Sequence, residues 1–282
     1  MSVYRIRKAV NIAGTTAAIL CVCVAIIPLG AMLYYVLAQG GSSLSLSFFT
    51  SLPKASGENG GVFNSIVGTL ELIFIASCIG IPIGIMSGIY LSLSKHIRFS
   101  NVVRFFTDVV AGTPSIVAGV VAYALVVLPM GHYSAFAGGV ALALLMFPTV
   151  TRATEAALRL VPGSIREAGL AIGLPEWKTM FNIVLPSATA GIVTAIMLGV
   201  ARVSGETAPL LFTALGSQLL SMNPNQAIDS LPTRIWLNAQ QPYHDLQNQA
   251  WAGAFTLFAI VVILNLMARL LTRRLTARVG RN

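Results

Sequence analysis

An arginine and a glutamate stand in a segment that otherwise has the composition of a lipid-embedded helix. The stretch GVARVSGETAPLL, residues 199–211, contains Arg202 and Glu206 and follows an almost wholly apolar run. A single charge at the bilayer centre costs about 2.5–3.5 kcal/mol on insertion scales, so charges kept there generally face a cavity, a pathway or a partner. The four-residue spacing predicts that Arg202 and Glu206 share one helix face and form an ion pair, which removes part of that cost.

The chemistry that suits this pair is the binding of a tetrahedral oxyanion. A guanidinium group is planar, permanently charged and able to donate to two oxygens at once. Ser204 and Thr207 would add hydroxyl donors, while Glu206 would orient Arg202 or accept a proton from a substrate such as hydrogen phosphate. Glu71 is predicted at a similar depth on another helix, where it could meet Arg202. The alternative is a structural ion pair that holds this helix to its neighbours.

The rest of the sequence lacks the patterns of an enzyme. It has no G-x-x-x-x-G-K-[ST] segment for ATP. Cys21, Cys23 and Cys78 lie within apolar runs and lack metal-ligand spacing. Since no nucleophile–base set, metal cluster or cofactor loop is recognisable, we expect a non-enzymatic protein that needs no metal or cofactor. If ATP drives it, a separate subunit hydrolyses that ATP.

Composition places these residues in an all-α, polytopic membrane protein. Of its 282 residues, 56% are hydrophobic and only 10% are charged, whereas a soluble domain is about one quarter charged. Apolar runs of about 20 residues are long enough to cross a bilayer, so the lipid bilayer is the expected surrounding. The sequence predicts six spanning helices: Val10–Leu37, Val62–Ser92, Asp108–Met130, Ser134–Val150, Ala188–Leu211 and Trp251–Leu271.

The distribution of basic residues predicts the orientation. Most of the 18 Lys and Arg residues lie at the amino end, in the loops after the second and fourth helices, and in the tail, whereas the opposite loops hold only Lys54 and Arg234. By the positive-inside rule both termini are cytoplasmic, and the net charge of +9 reflects this asymmetry rather than affinity for nucleic acid. The predicted division is a cytoplasmic amino end (1–9), one transmembrane domain (10–271) and a cytoplasmic tail (272–282), with a cytoplasmic loop at 151–187 and a large external loop at 213–250.

The cytoplasmic loop between the fourth and fifth helices has a helical pattern of its own. Ser164 and Glu167 have the S-x-x-E spacing of a capping box. Gly173 is predicted to end the first short helix, and Pro175 suits the first turn of a second. Both short helices are amphipathic. Their apolar faces could insert into a groove on a partner. Alternatively, the two helices could lie flat on the membrane or pack only on the chain's own helices.

This loop also resembles a known motif. The segment EAGLAIGLPEWKTMFNIVLP is similar to the EAA loop of ABC-importer permeases, and Glu167, Ala168, Gly169 and Gly173 fall on that motif. Gly169 replaces the usual second alanine. In that family the loop docks into a cytoplasmic ATPase subunit, so the resemblance implies that these four residues couple the chain to a partner ATPase.

A second resemblance concerns the substrate. The segment ARVSGETAPLLFTA is similar to the Arg-x-x-Gly-Glu-Thr-Ala-Pro signature of phosphate-transport permeases, and AGTPSIVAGV, LPTRIWLNAQQP and QNQAWAGA resemble other parts of that family. On these motifs the chain is identified as a member of the A-type permease subunits of bacterial Pst phosphate importers, with the type I ABC-importer permease fold. The resemblance implies import of inorganic phosphate across the bacterial inner membrane. It further implies a second, unlike permease subunit, two ATPase subunits and an external phosphate-binding protein.

Two alternatives stay open at this point. The same architecture could carry another oxyanion, such as sulfate, molybdate or phosphonate, because the coupling loop does not discriminate among substrates. A stand-alone secondary carrier or channel is compatible with six spans and intramembrane charges, but it would leave the coupling loop without a purpose.

Overall fold

The described part of the protein is helical. A computed structural model describes residues 3–58, 60–94 and 96–279, with the backbone alone for 271–279, and within these ranges the only β-type pairing is an isolated bridge between Leu215 and Ile228. The helices, in chain order, are α1 (Val3–Gly40), α2 (Leu46–Thr50), α3 (Phe63–Leu93), α4 (Ile97–Gly112), α5 (Ser115–Met130), α6 (Ala135–Arg159), α7 (Gly163–Ala171), α8 (Glu176–Ser187), α9 (Thr189–Ser204), α10 (Ala208–Thr213), α11 (Leu231–Ala239) and α12 (His244–Val279).

The number of spans depends on two bent helix pairs. Among the described residues, α1, α3, α6 and α12 are each long and apolar enough to cross a membrane. Six spans result if α4 with α5, and α8 with α9, each count as one. The predicted first, fourth and sixth helices are present but longer than expected. In particular, α6 continues nine residues past Val150 to Arg159, so the cytoplasmic loop begins later than predicted.

The third predicted helix, Asp108–Met130, is wrong as one continuous element. Helix α4 ends at Gly112, α5 begins at Ser115, and the two are bent by 106°. Thr113 precedes Pro114 and is extended, with ψ of 133°. A proline disfavours the helical conformation in the residue before it, which explains a break at this point rather than a gentle kink.

The fifth predicted helix, Ala188–Leu211, is also interrupted. Helix α9 ends at Ser204, Gly205 follows as its cap, and α10 begins at Ala208. In a continuous helix the ring of Pro209 would clash with the carbonyl of Gly205, four residues earlier. The segment that carries Glu206 and Thr207 is therefore a short irregular link between two helices.

The tightest packing in the molecule joins α3 to α6. Gly80, Gly84 and Gly88 recur every four residues along the face of α3 that contacts α6. A Cβ atom on Gly84 would lie 2.6 Å from the Cβ of Val150, and one on Gly88 would lie 2.7 Å from the Cβ of Thr154. Small residues at this spacing let two membrane helices approach closely, so α3 and α6 form the rigid centre against which the other helices are placed.

Helix α1 is set apart from this centre. None of its residues from Val3 to Tyr35 is buried. Contact with the bundle is made at its carboxyl end, where Gly40 lies against Trp251 and Phe255 of α12.

Candidate functional site: a membrane arginine and a cytoplasmic coupling loop

Arg202 lies at the carboxyl end of α9, where that helix packs on α6. The close approach is made by Gly199, at which a Cβ would lie 2.7 Å from Val150. One turn further along, the Arg202 side chain reaches α6, and its Nη1 donates a hydrogen bond of 3.1 Å to Thr149 Oγ1. The rest of the side chain is exposed. The guanidinium is thus held at one point by a neutral hydroxyl and presents its remaining N–H groups outward.

The predicted ion pair between Arg202 and Glu206 is wrong. Across the part of the chain that the structure describes, no carboxylate oxygen of Glu206 lies within ion-pair distance of Arg202. The reason is the end of α9 at Ser204, because a spacing of four residues brings side chains together only while the helix continues. Glu206 is half-buried in the link instead, and its N–H donates to the carbonyl of Val203.

The two hydroxyl residues predicted to assist Arg202 differ in their surroundings. Ser204 is buried, and its Oγ donates a hydrogen bond of 2.6 Å to the carbonyl of Val200, so its proton is already used within α9. Thr207 is half-buried at the start of α10. With Gly205 it lines a crevice of about 990 Å³ bounded by α1, α9, α11 and α12. That crevice is mainly apolar, a lining that does not suit a bare anion.

Glu71 does not meet Arg202 either. It lies on α3, half-buried, and its Oε1 atom is buried without a hydrogen-bond partner among the described residues. Within the same described ranges no ion pair joins Glu71 to Arg202. The similar predicted depth of Glu71 and Arg202 is therefore not accompanied by an ion pair between them in the described structure.

A second charged cluster, which sequence reasoning missed, lies at the carboxyl end of α6. The Glu155 side chain is 7% exposed and accepts from Arg104 of α4 at 2.7 Å and from Arg159 at 2.7 Å, with Arg152 at 3.7 Å. Arg152 also pairs with Asp108 of α4. The spacing of Arg152, Glu155 and Arg159 along one helix would have allowed their ion pairs to be predicted from the sequence. The pairing of Glu155 with Arg104 could not have been predicted in this way, because Arg104 is 51 residues away in sequence.

A third cluster ties the segment between α10 and α11 to α3. Asp229 is fully buried and pairs with Arg234, whose Nη2 lies 2.6 Å from Oδ2, and the same oxygen accepts from Ser65 at 2.7 Å. Next to it, the N–H of Leu231 donates to Thr69 Oγ1 at 2.8 Å. Arg234 had been counted only as an external positive charge, but here it fixes the start of α11 against a spanning helix.

The loop between α6 and α9, which the sequence predicts to be cytoplasmic, has the predicted glycine turn. Gly173 has φ of +83°, and the N–H groups of Gly173 and Leu174 return to the carbonyls of Leu170 and Gly169 at 3.0 and 3.3 Å. This is the hydrogen-bond pattern of a Schellman cap, which glycine adopts without a steric penalty. The prediction that Gly173 ends the first short helix is confirmed. The predicted capping box at Ser164 is wrong, because α7 begins at Gly163 and has no side-chain cap.

Some residues of the same loop are buried between its two short helices, and others are exposed on its surface. Gly169 is buried against α8, where a Cβ would lie 2.6 Å from Thr179 Cγ2. Glu167 and Ala168 are exposed, and so are the apolar side chains of Ile172 and Trp177, at 74% and 62%. An ion pair of 3.5 Å between Arg166 and Glu176 holds α7 to α8. The outward surface is therefore a fixed, partly apolar patch of the kind that a protein partner covers.

Among the described residues, no group of three or more His, Cys, Asp or Glu side chains is arranged to hold a metal ion.

Comparisons with known proteins agree with this architecture. The family model described as binding-protein-dependent transport system inner membrane component matches residues 80–277. The phosphate transport system permease protein PstA of Haemophilus influenzae is 41% identical over 240 residues, 85% of this chain and 85% of that protein. The protein of the same name from Xylella fastidiosa is 39% identical over 273 residues, 96% of this chain and 95% of that one.

Among solved structures, the bacterial alginate ABC transporter in complex with an alginate pentasaccharide-bound periplasmic protein superposes with a TM-score of 0.64. The superposition covers 96% of this chain and 98% of that one. Because the two sequences are only 14% identical, this similarity supports the fold alone. These similarities, together with the helix order and the glycine turn between α7 and α8, show that the chain belongs to the family of binding-protein-dependent transport system inner membrane components, the permease subunits of ABC importers.

Proposed function

We propose that this chain is the membrane permease subunit of an ATP-driven importer that moves inorganic phosphate across the bacterial inner membrane. The observation that carries the proposal is the pair of relatives, about 40% identical over most of both chains, that are named phosphate transport permeases. The exposed guanidinium of Arg202 on α9 is a group in this chain that could bind phosphate.

Arg202 is proposed to contact phosphate transiently on its path. A charge-assisted hydrogen bond to a phosphate oxygen is about twice as strong as one between neutral groups, so phosphate can replace Thr149 as the partner of the guanidinium. Because Arg202 forms no ion pair with a described carboxylate, no competing anion has to be displaced first. Glu206 and Thr207 follow Arg202 by four and five residues, and Glu206 is proposed to accept a hydrogen bond from hydrogen phosphate as the anion passes Arg202.

Ser204 and Glu71 are not proposed to bind phosphate together with Arg202. The hydroxyl proton of Ser204 is used within α9, so its role is to hold the end of that helix. Glu71 has one buried, unpaired oxygen and remains a candidate on the path without a described contact to Arg202.

The cytoplasmic loop is proposed to transmit the work of ATP hydrolysis, which takes place in separate subunits. Glu167, Ala168 and the Gly173 turn form the surface that enters a cytoplasmic ATPase, while Gly169 keeps α7 seated on α8. The full complex would contain a second permease, two ATPase subunits and an external phosphate-binding protein. Membership of a binding-protein-dependent transport family supports the external binding protein among these partners.

The proposed orientation places both termini in the cytoplasm, with residues 10–271 as one permease domain. A reporter that is active only outside the cytoplasm should stay inactive when fused after Asn282 and become active when fused within 223–249. The reverse pattern would overturn the orientation.

The substrate is tested by reconstituting the chain with its co-expressed partners in proteoliposomes. ATP-dependent uptake of radiolabelled phosphate should exceed that of sulfate, molybdate and phosphonate supplied with the same binding protein. Preferential uptake of one of those anions would transfer the proposal to that oxyanion. Uptake by the chain alone, without ATPase subunits, would instead identify a stand-alone carrier or channel.

A further inference from the structure

Helix α4 has a different pattern from the spanning helices. At 100° per residue, one face of α4 carries the buried Ser100 and Thr107 with the half-buried Arg104, and this face points to α6. The exposed remainder divides into two flanks. The apolar flank carries Phe99, Val102, Phe106 and Val109, with exposed fractions of 58, 47, 62 and 50%. The other flank carries Arg98, Asn101 and Asp108, together with the exposed apolar residues Phe105 and, at the start of the helix, Ile97.

The depth of α4 is fixed by its ion pairs with α6. Arg104 pairs with Glu155, and Asp108 pairs with Arg152. Glu155 lies four residues before the end of α6 at Arg159, which is about 6 Å along the axis. Helix α4 therefore crosses α6 near the membrane surface reached by the carboxyl end of α6, the cytoplasmic surface in the proposed orientation.

The direction of α4 follows from the bend at Pro114. Helix α5 runs back along α6 to the opposite end, since only residues 131–134 separate the two helices. With a bend of 106°, α4 is nearly perpendicular to α5 and hence to the membrane normal. Helix α5 has 16 residues, about 24 Å, which is shorter than the ~30 Å hydrocarbon core and consistent with α4 taking over at the inner boundary.

We propose that α4 lies in the plane of the cytoplasmic membrane surface, with its Phe99–Val109 flank in the acyl chains of the inner leaflet. A helix with one apolar flank, one polar flank and a basic residue at the polar boundary is the form that interfacial helices take. Arg98 supplies the charge that is complementary to anionic lipid headgroups. Glu155 anchors this helix to α6, which continues after three residues into the coupling loop. The inference does not depend on which substrate the importer carries.

Site-directed spin labelling of the assembled transporter in lipid nanodiscs tests this placement. Cys21, Cys23 and Cys78 are first replaced by serine, and single cysteines are then introduced at Phe99, Val102, Phe106 and Val109. Accessibility to oxygen and to a water-soluble nickel chelate gives the depth of each label. The expected result is high oxygen accessibility and equal depth at all four positions, with labels at Asn101 accessible to the nickel chelate.

A matched series on α12 serves as the control. Phe258, Val262 and Leu266 are exposed along a helix long enough to span, so their labels should differ in depth by about 6 Å per step of four residues. A similar gradient along α4, about 15 Å between positions 99 and 109, would overturn the proposal. Low accessibility to both reagents at all four positions would also overturn it, because it would mean that a protein partner covers the flank.

The test does not depend on the aromatic positions alone. If labels at Phe99 or Phe106 prevent assembly, Val102 and Val109 are seven residues apart and carry the same comparison. Equal depths support the in-plane helix, whereas a difference of about 10 Å would contradict it.

Discussion

Arg202 on α9 and Arg234 on α11 are both arginines of a largely apolar protein, but their surroundings differ. The Arg234 side chain is 12% exposed and pairs with the fully buried Asp229, which also accepts a hydrogen bond from Ser65. Arg202 is exposed and has a single described hydrogen bond, to a neutral threonine. The charge of Arg234 is paired within the fold, whereas Arg202 has N–H groups without a described partner, which the proposed contact with phosphate would use.

The cluster at Glu155 is intermediate between these two. Its carboxylate is buried, but its arginine partners keep 30 to 58% of their side chains exposed. Solvent screens such pairs, so each contributes less than the Asp229–Arg234 pair. The three regions should therefore respond differently to substitution, and the differences can be ranked.

The largest expected effect is on stability at the external cluster. Asp229→Ala leaves Arg234 and Ser65 without their buried acceptor, and breaking a buried pair in this way costs about 3–5 kcal/mol. We expect a clear fall in the thermal unfolding midpoint of the purified protein and less protein in the membrane. Asp229→Asn keeps the shape and part of the hydrogen bonding, so it should be milder. An unchanged midpoint for Asp229→Ala would show that this cluster does not hold the fold.

The next effect is on transport, with stability unchanged. Arg202→Ala removes a charge-assisted hydrogen bond worth about 1.5–3 kcal/mol, so phosphate uptake should fall roughly ten- to hundredfold. Arg202→Lys should also be impaired because an ammonium lacks the planar fork. Both variants should keep the unfolding midpoint and the association with the ATPase.

The Arg202 prediction has its own control in Glu206. Because the two side chains form no ion pair, Glu206→Ala should not reduce assembly by freeing Arg202. Normal uptake by an assembled Arg202→Ala/Glu206→Ala variant would exclude Arg202 from the transport path and remove the contrast with Arg234.

A smaller effect is expected at the intermediate cluster. Glu155→Gln retains the size of the side chain but loses the charge that three arginines share, at a cost of about 1–2 kcal/mol. The unfolding midpoint should fall by less than for Asp229→Ala. Equal losses for the two variants, measured under the same conditions, would argue that the exposed arginines are not screened.

The last prediction concerns a residue outside all three clusters, where the effect on ATPase binding should exceed the effect on stability. Gly173→Val forces a β-branched residue to φ of +83°, which costs about 1–2 kcal/mol locally. Binding of the ATPase and phosphate uptake should weaken strongly, while the unfolding midpoint should fall by no more than for Glu155→Gln. Gly173→Asn is the matched control, because asparagine tolerates this conformation, and it should retain more activity. Full uptake by Gly173→Val would remove the coupling role of the turn.

Several features were predictable because their causes are local in sequence. Gly173 ends a helix because a left-handed cap needs a residue without a Cβ, and the surrounding motif marks that position. The spacing of Gly80, Gly84 and Gly88 marks a packing face for the same reason that helical periodicity marks any face. The apolar runs located the spanning segments, since bilayer thickness sets their length.

The errors arose where a local pattern was extended too far. The four-residue rule was applied to Arg202 and Glu206 across a helix end that Pro209 imposes. Pro114 explains where the third predicted helix breaks, but not why its two halves bend by 106°. The bend angle at a proline depends on the helices against which each half packs. The local sequence around the proline does not identify those helices.

By itself, then, the sequence determined the helical membrane class, the coupling motif with its glycine turn, and the candidate arginine, because each depends on composition or on neighbours a few residues apart. Only the tertiary structure decided which charges meet. Arg104 joins Glu155 across 51 residues, and Ser65 joins Asp229 across 164. Pairs at such separations are brought together by helix packing, and the same packing left Arg202 with one neutral partner and an exposed charge.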